Sequence, residues 1–150
     1  MTINAGMMSS KTDQWGTPQD YFDQVNEEFH FDLDVCAEDW NAKCEEYISP
    51  EQDALSVDWH GKVCWMNPPY GREIGHWMKK AVEEWKRNEG RTIVCLVPAR
   101  TDTAWWHDFA MQGEIRFLRG RLKFVSPEGG KDAAPFPSAL VIYQGGRGQA

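Results

Sequence analysis

Nowhere in its 150 residues does the chain carry a long apolar run, and a helix that spans a bilayer needs about 20 such residues. No membrane segment is therefore expected. The first ten residues do not pair a basic region with an apolar one, as a secretory signal would, so the expected location is the cytoplasm. The four cysteines, Cys36, Cys44, Cys64 and Cys95, include no Cys-x-x-Cys pair, and no histidine stands at zinc-ligand spacing. That pattern argues against a metal site. Three of the thiols sit in or beside apolar runs and read as core residues. Basic residues are nearly missing from the front of the chain. The first sixty positions hold 2 Lys/Arg against 14 Asp/Glu, the remainder 14 against 9. A net charge of −7 argues against a general nucleic-acid binder, but leaves an anionic partner room to dock on the second part. Internal repeats and an interdomain linker are also lacking.

What is present describes one globular domain. Hydrophobic residues make up 41% of the chain, and 150 residues suffice for a proper core. Residues 1–12 read as a flexible arm and 145–150 as a flexible tail, with the domain over 13–144. Thr17 is a good N-cap, Pro18 suits a first helical position and Asp20 stands where a capping-box acid would. They predict a helix from Pro18 to about Phe29. Residues 31–36 alternate polar and apolar, as in a strand. Residues 41–47 are read as helical. Apolar residues at three-and-four spacing predict a helix over 72–88 ended by Gly90, and a further helix is expected over 102–111. Strands are expected at 62–66, 92–97, 114–118 and 139–143, with a short one over 121–124 and a Pro/Gly loop over 126–137. Strands alternating with amphipathic helices predict an α/β fold. Its sheet is expected to be mostly parallel, with helices on both faces.

The stretch around which these elements are organised is Asn67-Pro68-Pro69-Tyr70. It follows a strand and precedes the clearest helix, at the sheet edge where α/β folds bind ligands. Two prolines stiffen the turn and remove its N–H donors. Asn67 adds an amide oxygen and Tyr70 an aromatic face. An exocyclic amino group on a nucleobase is a poor nucleophile, because its lone pair is delocalised into the ring. The Asn67 oxygen and the Pro68 carbonyl can hold its two hydrogens and aim that lone pair at an electrophile. Tyr70 can stack on a base that has left the duplex.

Two aspartates upstream are candidate cofactor contacts. Asp34 lies near the carboxyl end of the first strand, where an acid can bind a ligand's hydroxyls or amino group. Asp53 either lines such a site or caps a turn. Arg100, Arg116, Arg119, Arg121 and Lys123 lie in the basic part and are the candidates for phosphate contacts.

The order of strand, Asn-Pro-Pro-Tyr, helix, strand, helix, strand, strand resembles the second half of a Rossmann-like class I methyltransferase. The detail is closer. Trp15-x-Thr17-Pro18, Asp34-x-x-Ala37, Asp53-x-Leu55, Asn67-Pro68-Pro69-Tyr70, Val97-Pro98-Ala99-Arg100, Phe117-Leu118-x-Gly120-Arg121 and Pro135-Phe136-Pro137-Ser138 together resemble the phage-type DNA adenine-N6 methyltransferase family. The resemblance implies S-adenosylmethionine as methyl donor, double-stranded DNA with a flipped adenine as acceptor, and protection of phage DNA as purpose. It makes Asn67, Pro68, Pro69 and Tyr70 the catalytic turn, and Trp15, Thr17, Pro18, Asp34, Ala37 and Asp53 the cofactor contacts. Where larger methyltransferases carry a glycine-rich turn, this chain has Ala37-Glu38-Asp39. The alternatives are a methyltransferase acting on RNA or on a protein glutamine, and a non-catalytic DNA-binding or DNA-mimicking phage protein.

Overall fold

Residues 16–145 are described in the computed structural model. The first helix, α1 (Gln19–Phe29), buries Phe22, Val25 and Phe29 from one stripe and stops at His30, whose φ of 59° is left-handed. The anticipated caps are not made. Pro18 occupies the N-cap position, with no side-chain cap bond, and the Asp20 carboxylate accepts from the Tyr21 N–H beside it. The long helix α2 (Ile74–Arg87) buries Ile74, Trp77, Met78, Ala81, Val82 and Trp85 as the spacing predicts, and ends at Asn88, two residues before Gly90. The third, α3 (Ala104–Asp108), is capped by the Thr103 side chain. It breaks at Phe109 into a 3-10 turn, Ala110–Gln112, so 102–111 is not one continuous helix.

Five strands make the main sheet: β1 (Leu33–Asp34), β2 (Val63–Met66), β3 (Thr92–Pro98), β4 (Glu114–Phe117) and β7 (Ser138–Tyr143), in the order β1-β2-β3-β7-β4. β1–β2 and β2–β3 are parallel, whereas β7 runs antiparallel to both of its neighbours. The sheet is therefore mixed, with four strands in one direction and β7 against them. The reason lies in the connection. Residues 118–137 contain no helix, and a parallel neighbour needs a crossover of a dozen or more residues, usually helical. That segment holds a separate hairpin instead, in which β5 (Lys123–Val125), close to the short strand expected over 121–124, pairs antiparallel with β6 (Lys131–Ala133), where a loop was expected.

Helices cover both sheet faces. Trp65 packs edge-on against Phe22 of α1, and Arg116 on the same face pairs with Glu28. On the other face Tyr143 meets Trp85 of α2, and Phe117 stacks on Trp106 of α3. The core runs along β3 and β7, whose residues are nearly all buried.

Strand β1 is shorter than predicted, yet 32–37 is bonded on both sides. Asp32 and Val35 donate to Val63 and Trp65, while Asp34 and Ala37 donate to Glu46 and Ile48. Tyr47 forms a parallel bridge to Asp34, so 41–47 is turn and extended chain rather than helix. The following segment is held by buried Glu84, which accepts from the Trp59 N–H at 3.1 Å and pairs with Lys80 and Arg91. Burial works against its charge; the Lys80 and Trp59 bonds and Arg91 outweigh it and leave its pKa lowered. Trp59 in turn donates to the Ala54 carbonyl. Removing one partner from such a buried network costs about 3–5 kcal/mol, and here it would also loosen the segment carrying Asp53. No helix among the described residues is long and apolar enough to cross a membrane.

Candidate active site

Strand β2 delivers Asn67, Pro68, Pro69 and Tyr70 to the carboxyl edge of the parallel strands, and α2 carries the chain away. Asn67 and Pro69 form one wall of a cavity of about 220 Å³. Opposite stand Val35, Cys36, Ala37 and Glu38 after β1, then Ile48, Asp53, Ala54 and Leu55; Glu73 and Trp77 come from the start of α2. The lining is apolar in its walls, with carboxylates from Glu38, Asp53 and Glu73. None of these three meets a Lys or Arg side chain among the described residues. Such a site suits a ligand with a flat apolar part and positive charge.

The two aspartates behave differently. Asp53 stands exposed at the cavity with φ of 54°. Its N–H closes a 3-10 turn onto the Pro50 carbonyl. Asp34 does not line the cavity. It is 2% exposed, and its two oxygens accept from the Cys36 and Lys43 N–H groups at 3.1 and 3.0 Å. It thus folds the 36–43 segment into the cavity wall. Burial raises its pKa to about 7, opposed by those two N–H bonds. Ala37 lines the cavity; Pro18 does not. Trp15 lies outside the described residues.

Thr17 serves the turn. Its Oγ1 accepts from the Asn67 Nδ2 at 2.9 Å. The Asn67 Oδ1 accepts from the Tyr70 hydroxyl at 2.6 Å, which also lies 3.0 Å from the Leu96 carbonyl. The sequence suggests a stacking face at Tyr70. The structure buries it, at 4% exposure, edge-to-face with Phe124 of β5 and Phe136 before β7. A base reaches that ring only when this aromatic shell parts. Burial drives the phenol well above its ordinary pKa, so Tyr70 acts as a neutral hydroxyl.

The five basic candidates fall in separate places. Arg100 donates to the Tyr70 carbonyl at 3.1 Å and lies over the Phe136 ring, beside the turn. Arg121 and Lys123 line a cleft between the hairpin and the start of α1, with Lys131, Pro18, Tyr21 and Gln24. Arg119 is exposed on the approach to that hairpin. Arg116 stands apart, paired bidentately with Glu28 and again with Glu114. Gly120, with φ of 76°, is a bend before the hairpin and not its tip, which is the turn over 126–130.

Sequence reasoning missed the carboxylates Glu38 and Glu73 and the Phe124–Phe136 shell as parts of the site, and took Trp77 for core alone. Glu73 and Trp77 stand four and eight positions after Pro69, at a spacing that returns a helix start to the same edge. Among the described residues no three His, Cys, Asp or Glu side chains are grouped to hold a metal ion.

Over residues 4–147 the chain matches the family described as DNA N-6-adenine-methyltransferase (Dam). It is 32% identical over 151 residues to the DNA N-6-adenine-methyltransferase of Haemophilus phage HP1 (strain HP1c1), spanning 96% of this chain and 86% of that protein. Its identity to the DNA N-6-adenine-methyltransferase of Escherichia phage T1 is 33% over 149 residues, 87% of this chain and 61% of the phage protein. A putative methyltransferase of Escherichia coli (strain K12) is 38% identical over 65 residues, 39% of this chain and 71% of that protein.

Proposed function

Because the chain belongs to the DNA N-6-adenine-methyltransferase (Dam) family, we infer that it transfers a methyl group to the N6 amino group of adenine in DNA with Asn67-Pro68-Pro69-Tyr70 as its catalytic turn. The observation that carries this assignment is the position of Asn67. It lines the cavity and also belongs to the hydrogen-bonded turn, so one side chain faces both the cofactor's place and the acceptor's. The strand order, with one reversed strand near an edge, supports a Rossmann-like class I layout.

The cavity fits S-adenosylmethionine. Ala37, Ile48, Leu55 and Trp77 offer apolar walls, and Glu38, Asp53 and Glu73 offer negative charge to its ammonium and sulfonium groups. When bound, that cofactor supplies an electrophilic methyl group. The protein's part is orientation and exclusion of water. The Asn67 oxygen has two lone pairs. Besides the Tyr70 hydroxyl, it accepts a hydrogen from the target amino group. The Pro68 carbonyl takes the second hydrogen. Held this way the nitrogen is pyramidal and its lone pair points into the cavity, and proximity and orientation supply most of the rate. After transfer the nitrogen is cationic and loses a proton; an amide oxygen is too weak a base to keep it, so it leaves to water. The adenine must first leave the duplex. Arg100, Arg119, Arg121 and Lys123 hold the backbone while it does. The work belongs in the cytoplasm of a bacterium or of a phage-infected host, where methylation would protect DNA.

The test offers tritiated S-adenosylmethionine together with duplex DNA, RNA and a glutamine-bearing protein. Label recovered as N6-methyladenine from DNA is the expected result. Label in RNA adenine or in glutamine would overturn the substrate, and no transfer to any of them would overturn the enzyme.

A further inference from the structure

The side chain that fixes the catalytic amide comes from fifty residues upstream. Thr17 is 3% exposed, and its hydroxyl spends its acceptor on Asn67 rather than on the end of α1, where no side-chain cap is made. It does not line the cavity. We propose that Thr17 is a positioning residue for the Asn67 carboxamide, governing the chemical step and not cofactor affinity. The proposal rests on the reading of Asn67 given above.

The terminal torsion of an asparagine is broad and roughly two-fold, so its own rotamer does not settle the plane of the amide. Two bonds at opposite ends of the group bear on it here. Thr17 Oγ1 accepts from Nδ2 at 2.9 Å, and the Tyr70 hydroxyl donates to Oδ1 at 2.6 Å. The carbonyl end of the amide is thereby aimed in one direction, toward the place of the amino group.

Thr17 is itself fixed. Gly16 exchanges both backbone bonds with Val125 of β5, at 3.0 and 2.9 Å. The approach is so close that a Cβ on Gly16 would stand 2.6 Å from the Val125 carbonyl oxygen and 3.2 Å from the Trp40 ring. Pro18, with φ of −58°, stiffens the other side. The hydroxyl is thus carried on backbone clamped to the hairpin before it and locked by proline after it. Small errors in aim cost rate steeply when reacting groups must be aligned, so loss of this bond falls on transfer and spares the cavity.

Thr17→Val keeps the shape and removes the hydroxyl; Thr17→Ala removes it without adding a methyl, should valine not be tolerated; Thr17→Ser restores it. Each is compared with Asn67→Ala and with the Asn67→Ala/Thr17→Val double variant. The readouts are S-adenosylmethionine affinity by calorimetry and N6 transfer in a single turnover. The expected result is a loss of roughly tenfold in the transfer step for valine or alanine, the size of one hydrogen bond. Cofactor affinity should stay within about twofold, with most of the rate recovered by serine. The double variant should be no slower than Asn67→Ala alone, since contacting residues do not add. Wild-type transfer by both Thr17→Val and Thr17→Ala, a loss confined to cofactor affinity, or additive losses in the double variant would each overturn the proposal. If the wild-type protein leaves adenine unmethylated, the function assigned above fails separately. The Asn67 side-chain NH2 resonances then decide the clamp: a shift in Thr17→Val supports it, and unchanged resonances refute it.

Discussion

The Tyr70 hydroxyl lies 2.6 Å from the Asn67 amide oxygen, so two residues of the turn hold each other before any substrate arrives. The consequences of removing them differ. Asn67→Ala deletes an acceptor that acts in the transition state, and loss of a comparable group costs roughly 10²–10³ in rate. Single-turnover methylation at saturating cofactor should show that loss, because Asn67 also lines the cavity and saturation removes any effect on cofactor affinity. Wild-type transfer by Asn67→Ala would refute the mechanism.

Tyr70→Phe is informative because the ring is buried among Phe124 and Phe136, and the substitution leaves that packing in place. Read from sequence, Tyr70 is a stacking surface and its hydroxyl is incidental. In the structure the hydroxyl orients Asn67. A net hydrogen bond is worth about 0.5–1.5 kcal/mol, so the same assay should fall roughly two- to tenfold. A rate equal to wild type would return Tyr70 to a purely stacking role.

Most of the scaffold was legible because local signals and tertiary demands agreed. The stripe from Ile74 to Trp85 could only be a buried helix face, and the apolar run over 92–97 could only be a central strand. Asn67-Pro68-Pro69-Tyr70 was legible as a site because strand, prolines and helix place it at one edge. What failed depended on partners distant in sequence. The short pairing of β1 is completed by Tyr47, which no local pattern announces. Thr17 has every feature of a cap, yet its hydroxyl goes to Asn67. Lys131 to Ala133 is exposed throughout, so the hairpin strand had no apolar alternation by which to be recognised.

Asp53 combines a rim position with a left-handed backbone, φ 54°. Asparagine tolerates that conformation, so Asp53→Asn should keep the fold and remove only the charge. A hydrogen bond to a charged group is worth about 1.5–3 kcal/mol, and S-adenosylmethionine affinity should fall about 10- to 100-fold by calorimetry. Asp53→Gly should lose the same affinity while melting no lower. Undiminished binding by both variants would move the cofactor's polar contacts to Glu38 and Glu73.

Asp34 gives a pH dependence whose sign follows from burial. Its pKa rises from 3.8 to about 7 in the folded chain. Between those values the folded state holds a proton that the unfolded state releases. This group's contribution to stability is therefore complete below about pH 4 and is lost as the pH rises through about 7. The cavity responds in the opposite sense. Protonation takes one of the oxygens that accept from Cys36 and Lys43 and loosens the 36–43 wall, so cofactor affinity should fall as the pH drops from 8 to 6. A carboxyl resonance for Asp34 titrating near pH 7 is the expected observation; a midpoint near 4 would remove the argument.

The salt dependence of DNA binding should sort the five basic residues by what already holds them. Each phosphate contact contributes about 0.9 to the slope of log affinity against log salt on duplex DNA. Arg121 and Lys123 line the cleft beside the hairpin together with Pro18, and Thr17 next to Pro18 accepts from Asn67, so a backbone in that cleft lies close to the catalytic turn. Arg119 stands on the same approach, and Arg100 adjoins the turn directly. Alanine at Arg119, Arg121 or Lys123 should each flatten the slope by about one unit. Arg100→Ala should do so and slow transfer as well, since it also releases the Tyr70 carbonyl. Arg116 is neutralised by Glu28 and Glu114 on the face that carries α1, and Arg116→Ala should leave the slope unchanged. Titrations by fluorescence anisotropy between low and moderate salt would measure all five. A flattened slope for Arg116→Ala alone, with the other four unchanged, would put the DNA across β4 and away from Asn67, and the catalytic turn would then have no duplex beside it.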